Sequence, residues 1–149
     1  MKLIIGNDHA GVNLKNAIVA HLTDLGHEVT DIGIAQGEKA DYPDIAEKLA
    51  LDIAAKKYDL GFLVCGTGIG MSMAANRIPG VRAAATSSAF GAKFTRAHND
   101  ANILCLGERI LGEGEALEMV DLFVNTPFDT ENPRHKNRVD KIAVLDEKY

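Results

Sequence analysis

Apolar residues fall in short continuous runs, separated by stretches with helical spacing. Lys2-Leu3-Ile4-Ile5-Gly6-Asn7 predicts a strand, as do Glu28–Ile32, Leu60–Val64, Val81–Thr86 and Ile103–Leu106, the last ended by Gly107. Val12, Ile18, Val19, Leu22 and Leu25 recur close to helical spacing and predict a helix over Val12–Leu25, with Gly26 as its C-cap. Gly33–Ala40 is polar loop. Asp41-Tyr42-Pro43-Asp44 then opens a second helix, with Asp41 or Tyr42 near the cap and Pro43 in the first turn; Ile45, Leu49 and Ile53 carry it to about Lys57. Small residues from Ser72 to Asn76 follow a glycine turn and suit a third helix. Ser87 or Ser88 caps a fourth that reaches toward His98, Glu113–Val124 is a fifth, and a last helix runs through Val144. Continuously apolar strands that alternate with helices predict an α/β fold, a three-layer αβα sandwich whose Rossmann-like parallel sheet is covered on both faces. In such a sheet ligands sit beyond the carboxyl ends of the strands. Asp8-His9 follows the first strand and Cys65-Gly66-Thr67 the third, so both line one crevice if those strands are neighbours.

Composition narrows the class. A chain of 149 residues, 46% apolar and 25% charged, predicts one globular domain over 1–149, with 127–149 as a C-terminal tail and helix. The net charge of −5 argues against general binding to nucleic acid or anionic membranes. No apolar stretch approaches spanning length, and Met1–Ile5 is too short for a signal peptide. Two cysteines, Cys65 and Cys105, do not make a secreted disulfide framework, so the expected location is the cytoplasm. No tight Cys/His spacing suggests a metal site.

The chemistry centres on Val64-Cys65-Gly66-Thr67-Gly68-Ile69-Gly70-Met71, a strand running through glycines into a helix. Glycines let the backbone approach a ligand, and a helix start aims unpaired N–H groups at it. A thiol at such a place can form the thiolate and act as base or nucleophile, although a lone cysteine suits a small buried hydrophobe better. A dinucleotide fold is the obvious rival, and the spacing rejects it. The chain has G-x-G-x-G where G-x-G-x-x-G would put a glycine at Met71, and the turn follows the third strand instead of the first. Cys65 also lacks a C-x-x-C partner for redox work. Taken singly, His98 suits a helix C-terminal cation, and Arg134 and Arg138 suit a solvated basic face, though four residues apart on a helix they could grip a phosphate.

Taken together, Asp8-His9-Ala10-Gly11, Asp41-Tyr42-Pro43, Cys65-Gly66-Thr67-Gly68-Ile69-Gly70, His98-Asn99-Asp100, Gly107-Glu108-Arg109 and Arg134-His135-x-x-Arg138 form a set that resembles the type B ribose-5-phosphate isomerase family. That family also includes galactose-6-phosphate isomerase subunits and allose-6-phosphate isomerases. The resemblance covers essentially the whole chain, and Val64–Asn76 with the His98 cluster is its most specific part. It implies the sheet order 2-1-3-5-4, catalysis without metal or other cofactor, and a homodimer or tetramer with active sites shared between chains. The implied reaction interconverts ribose 5-phosphate and ribulose 5-phosphate through an enediolate, a step of the pentose phosphate pathway. By resemblance, Cys65 is the base that moves the proton between C2 and C1, and Asp8 and His98 help open the sugar ring. Backbone N–H groups from Gly66 through Gly68 to Gly70, with Thr67 and Asn99, stabilise the enediolate oxygen. His9, Arg134 and Arg138, with Arg109, hold the phosphate, and Tyr42 matches a pocket position. Other readings are an isomerase of allose 6-phosphate or galactose 6-phosphate, and a non-catalytic sugar-phosphate-binding module, which would need no base. One departure stands out: family members often carry Gly-Gly before Arg-His, whereas this chain has Asn132-Pro133, which stiffens the lead-in to Arg134.

Overall fold

Successive strand residues point to opposite faces of a sheet, and here both faces are apolar. In the computed structural model, which describes residues 1–149, five parallel strands lie in the order β2-β1-β3-β5-β4. They are β1 (Lys2–Asn7), β2 (Glu28–Asp31), β3 (Leu60–Cys65), β4 (Ala83–Ala85) and β5 (Ile103–Gly107). The helices are α1 (Val12–Asp24), α2 (Tyr42–Ala54), α3 (Ile69–Ala75), α4 (Ala89–Asn99), α5 (Glu113–Asn125) and α6 (Pro133–Lys148). This is the three-layer α/β sandwich expected from the sequence, with the strand order that the resemblance implied.

One face of the central strands carries Leu3, Ile5, Phe62, Val64, Leu104 and Leu106, which pack under Ile18 and Leu22 of α1 and Met119 and Phe123 of α5. Phe62 and Phe123 meet edge to face at 5.7 Å, and each is fully buried, contributing about 1.5–3 kcal/mol by burial. The opposite face carries Ile4, Leu63, Cys65, Ile103 and Cys105 beneath Leu49 and Ile53 of α2 and Met71 of α3. The register pairs Asn7 with Val64 and Cys65 with Gly107, so the ends of β1, β3 and β5 come level. That level edge is where the site forms.

Several boundaries differ from the sequence reading, each for a local reason. Helix α2 stops at Ala54 because Lys56 takes a left-handed conformation (φ 55°), and Lys56 and Lys57 donate back to the carbonyls of Ile53 and Asp52. Gly26 plays the same part for α1, as expected (φ 88°). Strand β4 is only three residues long: the Val81 N–H goes to the Ile78 carbonyl and the Arg82 N–H to the Asn102 side chain, although the Arg82 carbonyl still accepts from the N–H groups of Asn102 and Ile103. The basic stretch Arg134–Arg138 lies inside the last helix, which runs on to Lys148. Asn132 caps that helix by accepting from the Arg134 N–H, and Pro133 occupies its first position, where a missing N–H costs nothing. The Asn-Pro departure is therefore a helix start, and it fixes Arg134 in the first turn.

Candidate active site

Strand β1 ends at Asn7 and Asp8 follows it, both buried. The Asn7 amide donates to the carbonyls of Asp8 and Ile34 and accepts from the Ile34 N–H, tying the β2–α2 loop to the strand end. Asp8 accepts from the Ala10 N–H at 2.9 Å, a turn that leaves His9 exposed beside it. Gly11 is required next: a Cβ there would lie 2.6 Å from the Val64 carbonyl oxygen, so only glycine lets α1 start against β3.

Cys65 is the last residue of β3. Its Sγ accepts the Gly68 N–H at 3.1 Å, which fixes the sulfur at the start of α3. Gly68 is left-handed (φ 77°) with the Cys105–Leu106 peptide 3.0 Å from where a Cβ would stand, so the turn depends on glycine twice. The carbonyls of Cys65 and Gly66 accept from the N–H groups of Glu108 and Arg109, binding the glycine turn to the end of β5. The Arg109 side chain lies against Gly66 and the Tyr42 ring against Gly70. Asp8, His9, Tyr42, Cys65, Thr67, Arg109 and the glycines Gly66 and Gly70 thus line one open cavity of about 210 Å³. It offers a sulfur, a carboxylate, an imidazole, a guanidinium and a phenol, a set able to move protons and hold an anion.

His98, Asn99, Arg134 and Arg138 do not line that cavity. Helix α4 runs back along the sheet, and the residues just after it, Asp100 and Asn102, bond Arg82 at the amino-terminal end of β4. Asn99 borders a separate cavity of about 400 Å³ with Arg82, Ile142 and Leu145. His98 is exposed and stacked on His135, and Arg134 and Arg138 are exposed on α6. No three His, Cys, Asp or Glu side chains are grouped to hold a metal ion, and no helix is long and apolar enough to cross a membrane. Both cysteines are free. Burial pushes the Cys105 thiol up, and nearby Cys65 adds to the effect.

Residues 3–142 match the family model described as Ribose/Galactose Isomerase. The chain belongs to the ribose/galactose isomerase family. It is 41% identical over 147 residues to ribose-5-phosphate isomerase B of Escherichia coli (strain K12), covering 99% of this chain and 97% of that protein. Among solved structures, ribose-5-phosphate isomerase B of Clostridium thermocellum superposes with a TM-score of 0.96 at 45% identity, covering 100% of this chain and 99% of that one. Ribose-5-phosphate isomerase B of Mycoplasma genitalium, solved with bound ribulose-5-phosphate, gives 0.93 at 37% identity over 99% of this chain and 97% of that one.

Within this isomerase family member, the sequence reading found the cavity residues and missed those that hold them. Glu108 is the main omission. Its carboxylate accepts from the Leu14 N–H at 3.0 Å and from the Asn13 side chain at 3.2 Å, capping a helix whose own N-cap, Gly11, has no side chain. It thereby fastens the Asp8–Gly11 turn to Arg109. Asn7 reads as an ordinary strand residue in the sequence, and nothing local marks a role for Asp129 or His135. The only advance signal for Glu108 was an acidic residue standing directly before Arg109.

Proposed function

We propose that this protein interconverts ribose 5-phosphate and ribulose 5-phosphate through an enediolate. The observation that carries the reading is Cys65, held at the cavity wall by the Gly68 N–H and flanked by Asp8, His9 and Arg109, in a member of the ribose/galactose isomerase family. Cys65, as thiolate, takes the C2 proton of the open aldose and returns a proton at C1. The electron pair released at C2 moves onto the C1 oxygen, which N–H groups of the Gly66–Gly70 turn other than those of Gly68 and Ile69, already given to Cys65 and Thr67, stabilise with Thr67 as it becomes negative. A proton exchanged between the C2 and C1 oxygens completes the ketose. Ring opening precedes this: the anomeric hydroxyl loses a proton and the ring oxygen gains one, tasks assigned to Asp8 and His98. His9, Arg109, Arg134 and Arg138 hold the phosphate, Asn99 contacts the substrate, and Tyr42 closes one wall. The reaction belongs to cytoplasmic sugar metabolism, in keeping with two free thiols.

The complete site is shared between two copies of the chain. A cavity of about 210 Å³ falls below the roughly 300–1,000 Å³ usual for ligand sites. The groups that would complete it stand at the far end of α4, an 11-residue helix about 16 Å long. Phe90 is 72% exposed at the start of that helix, and Phe94 and His98 follow it at helical spacing. A two-fold partner lying antiparallel along this face would set its His98, Asn99, Arg134 and Arg138 beside Cys65, and the same symmetry would build the second site. Purified protein assayed in parallel on ribose, allose and galactose phosphates tests the reading. Turnover of ribose 5-phosphate far above the others supports it; preference for a six-carbon phosphate would reassign the substrate, and binding without turnover would make it a binding module.

A further inference from the structure

We propose that Asp129 and His135 are positioning residues for His98, an inference that rests on His98 serving in ring opening. His98 is the next-to-last residue of α4 and exposed, a place where an imidazole would normally sample several rotamers. Here two neighbouring rings pack against it. Phe94, one turn earlier, lies at 4.7 Å between centroids, and His135 stacks nearly parallel at 4.3 Å and 12°.

His135 is buried, and its Nε2 stands 3.5 Å from an Asp129 carboxylate oxygen. Packing alone would be served by any flat apolar side chain, and burying an imidazole costs stability unless a polar partner answers it. Asp129 is that partner, and it is anchored on His98's own helix. Its N–H donates to the Ala97 carbonyl, and its carboxylate accepts from the N–H groups of Glu131 and Asn132. Asn132 in turn caps α6. The chain therefore closes a circuit from the end of α4 through Asp129 to the first turn of α6 and back onto the His98 ring. The circuit fixes the plane in which His98 presents its nitrogens, and it holds Arg134 and Arg138 in register with that ring.

The test separates ring opening from proton transfer. Ribose 5-phosphate is cyclic, whereas ribulose 5-phosphate has its C5 oxygen esterified and stays open, so exchange of its C1 proton with deuterated water needs the base and no ring step. In His135→Ala, kcat on ribose 5-phosphate should fall about 10- to 100-fold, the loss expected from a misplaced catalytic group, while C1 exchange stays near wild type. His135→Phe restores the flat stacking partner but not the tie to Asp129 and should recover only part of the loss; Asp129→Asn should likewise lie between His135→Ala and wild type. His98→Asn should show the same split, with a larger loss of kcat. An unchanged kcat in His135→Ala beside an impaired His98→Asn would overturn the positioning role, as would no rescue by phenylalanine or a fall in exchange parallel to turnover. A His98→Asn variant with wild-type turnover would instead overturn the reading of His98 itself.

Discussion

If each site is built from two chains, two inactive proteins should repair one another. Cys65→Ala removes the proposed base at the end of β3, and His98→Asn removes the imidazole at the far end of α4. The length of α4 separates these groups within one chain, and only a partner with its α4 reversed would join them. Mixed, dissociated and reassociated, the two variants pair at random, so about half of the dimers are hybrids. In a hybrid, one site draws Cys65 and His98 from the two intact contributions, and the other receives both defects. Half the dimers with half their sites intact should return about one quarter of wild-type activity, against a background lowered about 10²–10⁴-fold in each parent. The assay is ribulose 5-phosphate formation before and after reassociation, with hybrids counted by native mass spectrometry on one tagged parent. Hybrids formed in the expected proportion without recovered activity would mean that His98 serves its own chain's Cys65, and the shared site would be refuted.

Other perturbations probe separate parts of the account. Arg134→Ala or Arg138→Ala should raise KM steeply with a smaller effect on kcat, and lysine should restore only part of the affinity if the grip is bidentate; unchanged KM in both would remove them from the phosphate site. Glu108→Ala strips α1 of its long-range cap and should cost about 0.5–2 kcal/mol in thermal or urea unfolding, with a fall in kcat/KM as the Asp8 turn loosens. Stability and activity both at wild-type level would show that water replaces the carboxylate. Cys105 is fully buried, which pushes its thiol up, whereas Cys65, 5% exposed, lines the open cavity; iodoacetamide at mildly alkaline pH should therefore label Cys65 alone and abolish turnover, with substrate protecting, and labelling of Cys105 in folded protein would contradict that burial.

What the sequence disclosed follows from how local each signal is. Strands β1, β3 and β5 are buried on both faces, so each reads as an unbroken apolar run whatever the rest of the chain does. The Cys65 turn was legible because its constraints lie within four residues: a strand end, a left-handed glycine and a helix start. The short β4 is hidden in the pattern, since Val81 and Arg82 have strand-like chemistry but their N–H groups go to the Ile78 carbonyl and the distant Asn102 side chain. The start of α6 is not legible in the pattern, because Arg134–Arg138 carries little apolar periodicity and Asn132-Pro133 reads as a stiff lead-in. Glu108, Asn7 and the Asp129–His135 pair escaped for a different reason. Each acts on a residue or element brought near only by folding, 94 positions away for Glu108 and Leu14, and no local pattern announces such a contact. The sheet order likewise came from the family resemblance; the hydrophobic pattern gave the layers alone.

The central claim is that Cys65 moves a carbon-bound proton of ribose 5-phosphate. It is tested most directly by running the reaction in deuterated water and following C1 of the ketose by NMR. Wild-type protein should place solvent deuterium at C1 of ribulose 5-phosphate. Cys65→Ala should lose that incorporation about 10²–10⁴-fold while still binding a phosphate-bearing enediolate mimic. Incorporation at near wild-type rate in the alanine variant would contradict the account, because the proton would then be travelling through another group.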